Sequence, residues 1–456
     1  MSPSLTEFKK WSEKFRKQIR DDYFHFLRFR SISTDPAYKK ETKACSEWLA
    51  KYIAEKTGMK AECIETEGHP LVYAEDLRAG PKAPTLLIYG HYDVQPVDPI
   101  ALWKSDPFEP VERDGLVYAR GAVDDKGQIY YAVLAVRCWK ELGHKLPINL
   151  KFCIEGEEES ASVGLGKALP KIKDKLRADY LLIPDFGQPD RETPAISLGA
   201  RGLIALEITL TGSKSDLHSG CHGGLAYNPN RAMVELLAKL WDEQGKIQVP
   251  GFYDEVVVMS PAEQKEYAFT LDKEKYKKEF GIEALGGEKG KTMKEANYFR
   301  PTLEINGVSG GYAGAGFKTV IPAHATAKIS CRLVPNQDPK KISHQLGEFL
   351  KKHAKAGMKV EVHFHGADYS FRGNPDSKLA QAVSKAVQEV NGKNCEKILS
   401  GASIPIIAEL VKQTGAEVVG MGYGWPEDNI HAPNESFDMD RVEKGFLTVA
   451  RTFELI

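Results

Sequence analysis

The period of the apolar residues changes twice along this chain, and the two changes dictate its architecture. From residue 59 to 201, the short runs AECIETE, LVYAE, TLLIYG, PINLKFCIEG and ADYLLIPD alternate with helical patterns, GQIYYAVLAVRCWKELG and SVGLGKALPKIK. Strands that are apolar along their whole length need cover on both faces, and βαβ crossovers supply it. From Gly202 the grammar differs: LIALEITLTG, ATAKISCRLVP and MKVEVHFHG alternate apolar and polar residues. That is the pattern of antiparallel strands with one covered face. Helices are predicted at 229–243 and 338–354, and the Lys- and Glu-rich stretch 250–300 reads as irregular. The first pattern then returns with a helix from Asp376, SIPIIAELVKQTG, the strand AEVVGMG and a closing helix from Phe437. Two amphipathic helices, 5–30 and 38–56, precede everything. The expected fold is α/β. A mainly parallel mixed sheet sandwiched by helices spans 1–201 and 374–456, and an inserted α+β domain occupies 202–373.

Charge narrows the function classes. The 456 residues carry 62 basic and 63 acidic side chains, a net charge of −1, with no basic excess for nucleic acid or a membrane surface. No apolar run approaches the ~18 residues of a membrane span, and the charged N-terminal stretch lacks a signal peptide's apolar region. A soluble, cytoplasmic protein is expected. Seven cysteines with no CxxC pair suggest neither a disulfide framework nor a zinc ribbon.

Residues of metal-ligand type collect where the predicted strands end. His91 follows TLLIYG, and Asp93 stands two residues on, placed to accept the other ring N–H. Asp124 lies in the Gly-flanked turn GAVDDKG, where an aspartate either bridges two cations or caps the next helix. Glu155, Glu157, Glu158 and Glu159 crowd the end of another strand; they are either a solvated loop or a ligand beside a proton acceptor. Asp185 follows ADYLLIP and His431 lies in DNIHAPNE, far apart in sequence. Histidine and carboxylate ligands without thiolates suit Zn²⁺, Mn²⁺ or Co²⁺.

In combination, HYDVQP, LWKSDPFEPVERDGLVYARGAVDDKG, the Glu-Glu loop, Asp185 and HAPNE resemble the co-catalytic two-metal peptidase family of aminoacylase, carnosinase and glutamate carboxypeptidase. SDLHSGCHGG, PGFYDEVV and RPTLEINGVSGGYAGAGFKTVIPAHATAKISCRLVPNQDP extend the likeness toward the dipeptidase/carnosinase branch. The resemblance implies two divalent metals per subunit, Zn²⁺ first. His91, Asp124 as bridge, Glu159, Asp185 and His431 would be the ligands, with Asp93 orienting His91. It implies Glu158 as general base, with Glu157 the runner-up, and a cis peptide between Asp124 and Asp125. It further implies a homodimer in which His218 enters the partner's site to stabilise the oxyanion. Arg332 would hold the carboxylate of a small peptide, with Thr319, His365, Gly401 and Ser403 as further substrate contacts, while His222 gains no role. Leu399-Ser400 stands where such dipeptidases often carry Arg-Glu, which bears on substrate preference. Dipeptide hydrolysis is the expected activity; N-acyl amino acid hydrolysis and a non-catalytic binding role are the alternatives.

Overall fold

A computed structural model describes residues 3–401, 404 and 406–456. The chain opens with a helix, Leu5–Leu27, started by a reciprocal Ser4/Glu7 capping box that satisfies two orphan donors. It and the helices Lys39–Thr57, Lys126–Glu141, Lys378–Asn391 and Met439–Leu455 share one apolar core containing Phe8, Tyr23, Ile53, Val133, Val383 and Phe446. Helices Val163–Leu176 and Ile407–Thr414 share a second with Leu87 and Tyr89, on the sheet's other face. Leu86 and Ile88 point to the first core, and Leu87 and Tyr89 to the second. That alternation is why the strand Thr85–His91 reads as apolar throughout.

Among the described residues the large sheet has nine strands. At its centre Asn149–Glu155, Thr85–His91, Tyr180–Ile183 and Glu417–Met421 run parallel. Antiparallel strands flank them: Leu71–Asp76 on one side and Ala195–Ala200 on the other. The mainly parallel mixed sheet is thus confirmed, although Ala195–Ala200 had no counterpart in the sequence reading. A small three-stranded sheet pairs Ser436–Asp438 with Leu116–Tyr118, tying the segment after His431 to the segment before Asp124.

Gly202–Thr211, Thr302–Gly310, His324–Leu333 and Lys359–Asp368 form a separate four-stranded antiparallel sheet. Helices Pro229–Leu237 and Pro339–His353 cover one face of it, over Ile204, Leu206, Ile208 and Leu210. The chain re-enters the large sheet at Phe371–Arg372, which pairs with Gly199 and Ala200. Two readings need correction. The helix expected at 229–243 ends at Leu237 in a 3₁₀ turn, Ala238–Leu240. The stretch 250–300 is more ordered than its composition suggests. It contains helices Pro261–Lys265 and Lys273–Phe280, and it buries Met259, Tyr267, Tyr298 and Phe299 in the main core. Among the described residues no helix is long and apolar enough to cross a membrane.

Candidate metal centre

The four central strands deliver their carboxyl ends to one edge of the sheet, where α/β proteins bind ligands. There the chain presents His91, the turn after Glu155, Asp185, and the loop from Met421 to His431. His91 is fully buried. Its Nδ1 lies 3.0 Å from the Asp93 backbone oxygen and 3.3 Å from Asp93 Oδ1. A proton on Nδ1 satisfies both acceptors and aims Nε2 at Asp124 Oδ1, 3.1 Å away, and Asp185 Oδ2, 3.8 Å away.

Asp124 faces two histidines with its two oxygens: Oδ1 meets His91, and Oδ2 lies 2.9 Å from His431 Nε2. His431 Nε2 is also 3.2 Å from Glu159 Oε1. Ligand-type atoms of His91, Asp124 and Glu159 all lie within 4.8 Å of one another, as do those of His91, Asp125 and Asp185. The five expected ligands therefore converge, with Asp124 in the middle. The peptide between Asp124 and Asp125 is cis.

Burial opposes ionisation of Asp124, but the hydrogen bonds from His431 and His91 outweigh it and hold its carboxyl low. Burial would lower His91, yet Asp124 and Asp93 hold it well above the imidazole range; His431 is pushed up to about 10 by Asp124 and Glu159. Burial raises Glu158, Glu159 and Asp185, and the neighbouring carboxylates add to it. Divalent cations fit this donor set of imidazole nitrogens and carboxylate oxygens.

The surroundings brace the same atoms. Asp93 Oδ1 and Oδ2 accept the backbone N–H groups of Glu158 and Glu159, each at 3.2 Å, so one carboxylate orients both His91 and the acidic turn. Glu157 is occupied elsewhere: its Oε2 accepts the Gly164 amide at 2.9 Å, at the start of the next helix. Gln95 Nε2 donates to Glu159 Oε2 at 2.7 Å and leaves Oε1 facing His431. Asp125 makes no side-chain cap; its Oδ2 accepts the His91 amide at 3.1 Å, and its buried Oδ1 has no partner among the described residues. Fully buried Glu435 accepts the amides of Gly121, Val123 and Asp124 and pairs with Arg120. Gln95, Asp125 and Glu435 lie inside motifs read from the sequence, but nothing there shows what they touch.

The other expected site residues lie on the inserted segment or near Ser400. His218 is exposed, and its Nδ1 accepts the Gly220 amide in its own turn. It pairs with Val320, beside exposed Thr319. His365 is the extra residue of a β-bulge between Phe364 and Gly366 and is exposed. Arg332 is half-buried opposite Leu203. Gly401 O accepts Arg201 Nε–H at 3.1 Å, and Ser403 lies outside the described residues.

Comparison with known proteins agrees with the geometry. Peptidase family M20/M25/M40 matches residues 87–455. Beta-Ala-His dipeptidase of Homo sapiens is 33% identical over 375 residues, covering 81% of this chain and 74% of that protein. The M20 family metallo-carboxypeptidase Sso-CP2 of Sulfolobus solfataricus superposes with a TM-score of 0.87 at 33% identity, covering 96% of this chain and 98% of the other. The di-peptidase Dug1p of Saccharomyces cerevisiae gives 0.84 at 25% identity, covering 100% and 99%. The likeness first carried by scattered motifs holds across nearly the whole length, and the chain belongs to peptidase family M20/M25/M40.

Proposed function

We propose that this protein is a metal-dependent dipeptidase working with two divalent cations, Zn²⁺ in preference to Mn²⁺ or Co²⁺. The observation that carries the reading is the convergence of His91, Asp124, Glu159, Asp185 and His431 beside Glu158. Relatives named for dipeptide hydrolysis support it. His91, Asp124, Glu159, Asp185 and His431 would hold the cations, which would supply Lewis acidity toward a carbonyl oxygen and a water.

The chain's own residues do the rest. Asp93 fixes the His91 tautomer and, through the Glu158 amide, the position of the general base. Glu158 accepts the water proton as the carbonyl is attacked and returns it to the leaving amine. His218 of a partner subunit stabilises the oxyanion, so the active form is a homodimer. Arg332 selects a free carboxylate, with Thr319, His365, Gly401 and Ser403 completing the pocket. The same reading divides the chain into a catalytic domain of 1–201 and 374–456 and an inserted lid of 202–373, and places the enzyme in the cytoplasm.

Metal analysis of the purified protein tests this, with a panel of dipeptides, tripeptides and N-acyl amino acids assayed before and after chelation. Chelator-reversible hydrolysis that favours dipeptides is expected. An absence of bound metal, with no turnover after Zn²⁺ or Mn²⁺ is added, overturns the proposal. A preference for N-acyl amino acids on the same metals would keep the chemistry and replace the substrate.

A further inference from the structure

The inserted sheet has one open face. Along Gly202–Thr211 the even positions are buried under helices, whereas Leu203, Ala205, Glu207 and Thr209 are only half-buried on the other side. Register places Arg332 and Asp368 opposite Leu203, one from each neighbouring strand, and Thr302 opposite Arg332. Directly paired residues project to the same face, so Arg332 stands on the open side, at the end where this sheet joins the large one.

Arg201 is the single residue between the strands Ala195–Ala200 and Gly202–Thr211. Its Nε–H donates to Gly401 O, and its Nη2 would lie 3.1 Å from a Cβ on Gly401, with Asn297 next to it. Its Nη1 is buried and has no hydrogen-bond acceptor among the described residues. Burial, and the charge of Arg332 close by, push Arg201 down to about 10, so it still carries its proton at neutral pH. The acidic groups acting on this pair are Glu304 on Arg201 and Asp368 on Arg332, and burial raises both carboxyls. Two neighbouring guanidinium groups, one with a buried N–H lacking an acceptor, call for an anion between them.

We propose that Arg201 and Arg332 together form the seat for the substrate's free carboxylate, with Arg201 Nη1 as its buried donor and Gly401 holding that guanidinium in place. Arg201 is then a specificity-determining residue contributed by the junction between the two sheets. The proposal rests on the dipeptidase reading.

The test compares a dipeptide with its C-terminal amide, using wild type, Arg201→Lys and Arg201→Met. In steady-state turnover, Arg201→Met is expected to lower kcat/KM for the free acid by ~10–100-fold, mainly through KM, and to leave the amide within about twofold. Arg201→Lys, which keeps the charge but not the fork, should fall between them. Calorimetric binding of both compounds to the metal-free protein supplies a second readout. Wild type should prefer the acid, and Arg201→Met should lose that preference. If no peptide is hydrolysed, the dipeptidase reading fails while the binding arm still decides the role of Arg201. Equal losses for acid and amide, or an acid preference that survives Arg201→Met, overturn the carboxylate seat.

Discussion

Glu435 Oε1 accepts the backbone N–H of Asp124 at 3.1 Å, so a fully buried carboxylate steers the residue that faces both histidines. The same side chain accepts Val123 N, Gly121 N and Arg120 Nη1, each at 2.9 Å. Glu435→Gln puts an NH₂ group where acceptor oxygen is needed and leaves Arg120 without its counter-charge. A stability loss of ~3 kcal/mol is expected, as for other broken buried pairs. Urea unfolding of the metal-free protein measures it, and a midpoint equal to wild type would show that the turn holds itself.

Glu158→Gln should retain its metal content and lose turnover by ~10²–10⁴-fold, the usual worth of a positioned proton acceptor. Metal analysis and steady-state kinetics on one preparation separate the two effects. Near-normal turnover would move the general base elsewhere, and Glu157 is a poor substitute while it holds the Gly164 amide.

Mixed dimers test whether His218 acts across a subunit boundary. Glu158→Gln and His218→Ala homodimers should each be nearly inactive. Co-refolded in equal amounts, half of the dimers are mixed and each has one complete site, so about a quarter of wild-type activity should return. No recovery despite verified subunit exchange would place His218 in its own subunit's chemistry or outside chemistry altogether.

Glu155 makes a pH prediction. It is 2% exposed, and burial pushes its carboxyl up to about 8 despite hydrogen bonds from Tyr89 and Ser162. A raised native pKa means that the folded state holds a proton which the unfolded chain releases from about 4.5 upward. The associated stability is complete below that pH and drains away as pH rises toward 8. Glu155→Gln, which mimics the protonated acid, should remove this slope. Guanidinium unfolding of the metal-free proteins from pH 5 to 8 would falsify the assignment if the two curves ran parallel.

Much of this site was legible because strand ends announce themselves. TLLIYG, PINLKFCI and ADYLLIP are apolar runs that cannot be half-exposed, and each is followed by a residue of metal-ligand type. The strand Ala195–Ala200 was not legible: AISLGA is short, rich in small residues, and runs into the next strand with only Arg201 between. Tyr267 and Phe299 were hidden among lysines and glutamates. They are buried because their segment leans on the distant strand Glu396–Ser400, where the Ala268 amide bonds Lys397 O at 2.7 Å. Glu435 and Gln95 show the same limit at the site. Period and composition report which face is apolar, but the partners of Glu435 and Gln95 are set by tertiary contact.

The two crossings between the sheets lie side by side. A Cβ on Gly202 would stand 2.5 Å from Asp368 O, and Phe371 pairs with Ala200. A body attached through adjacent strands has one soft axis, and displacement grows with distance from it. Arg201 and Arg332 sit beside that pivot. His218 and Thr319 lie past the far end of the ten-residue strand Gly202–Thr211, ~30 Å of extended chain away. A rotation of about 5° around it would leave the arginines almost stationary and carry the histidine through about 2–3 Å. Any such rotation would act as a lever, small beside the arginines and large at the histidine.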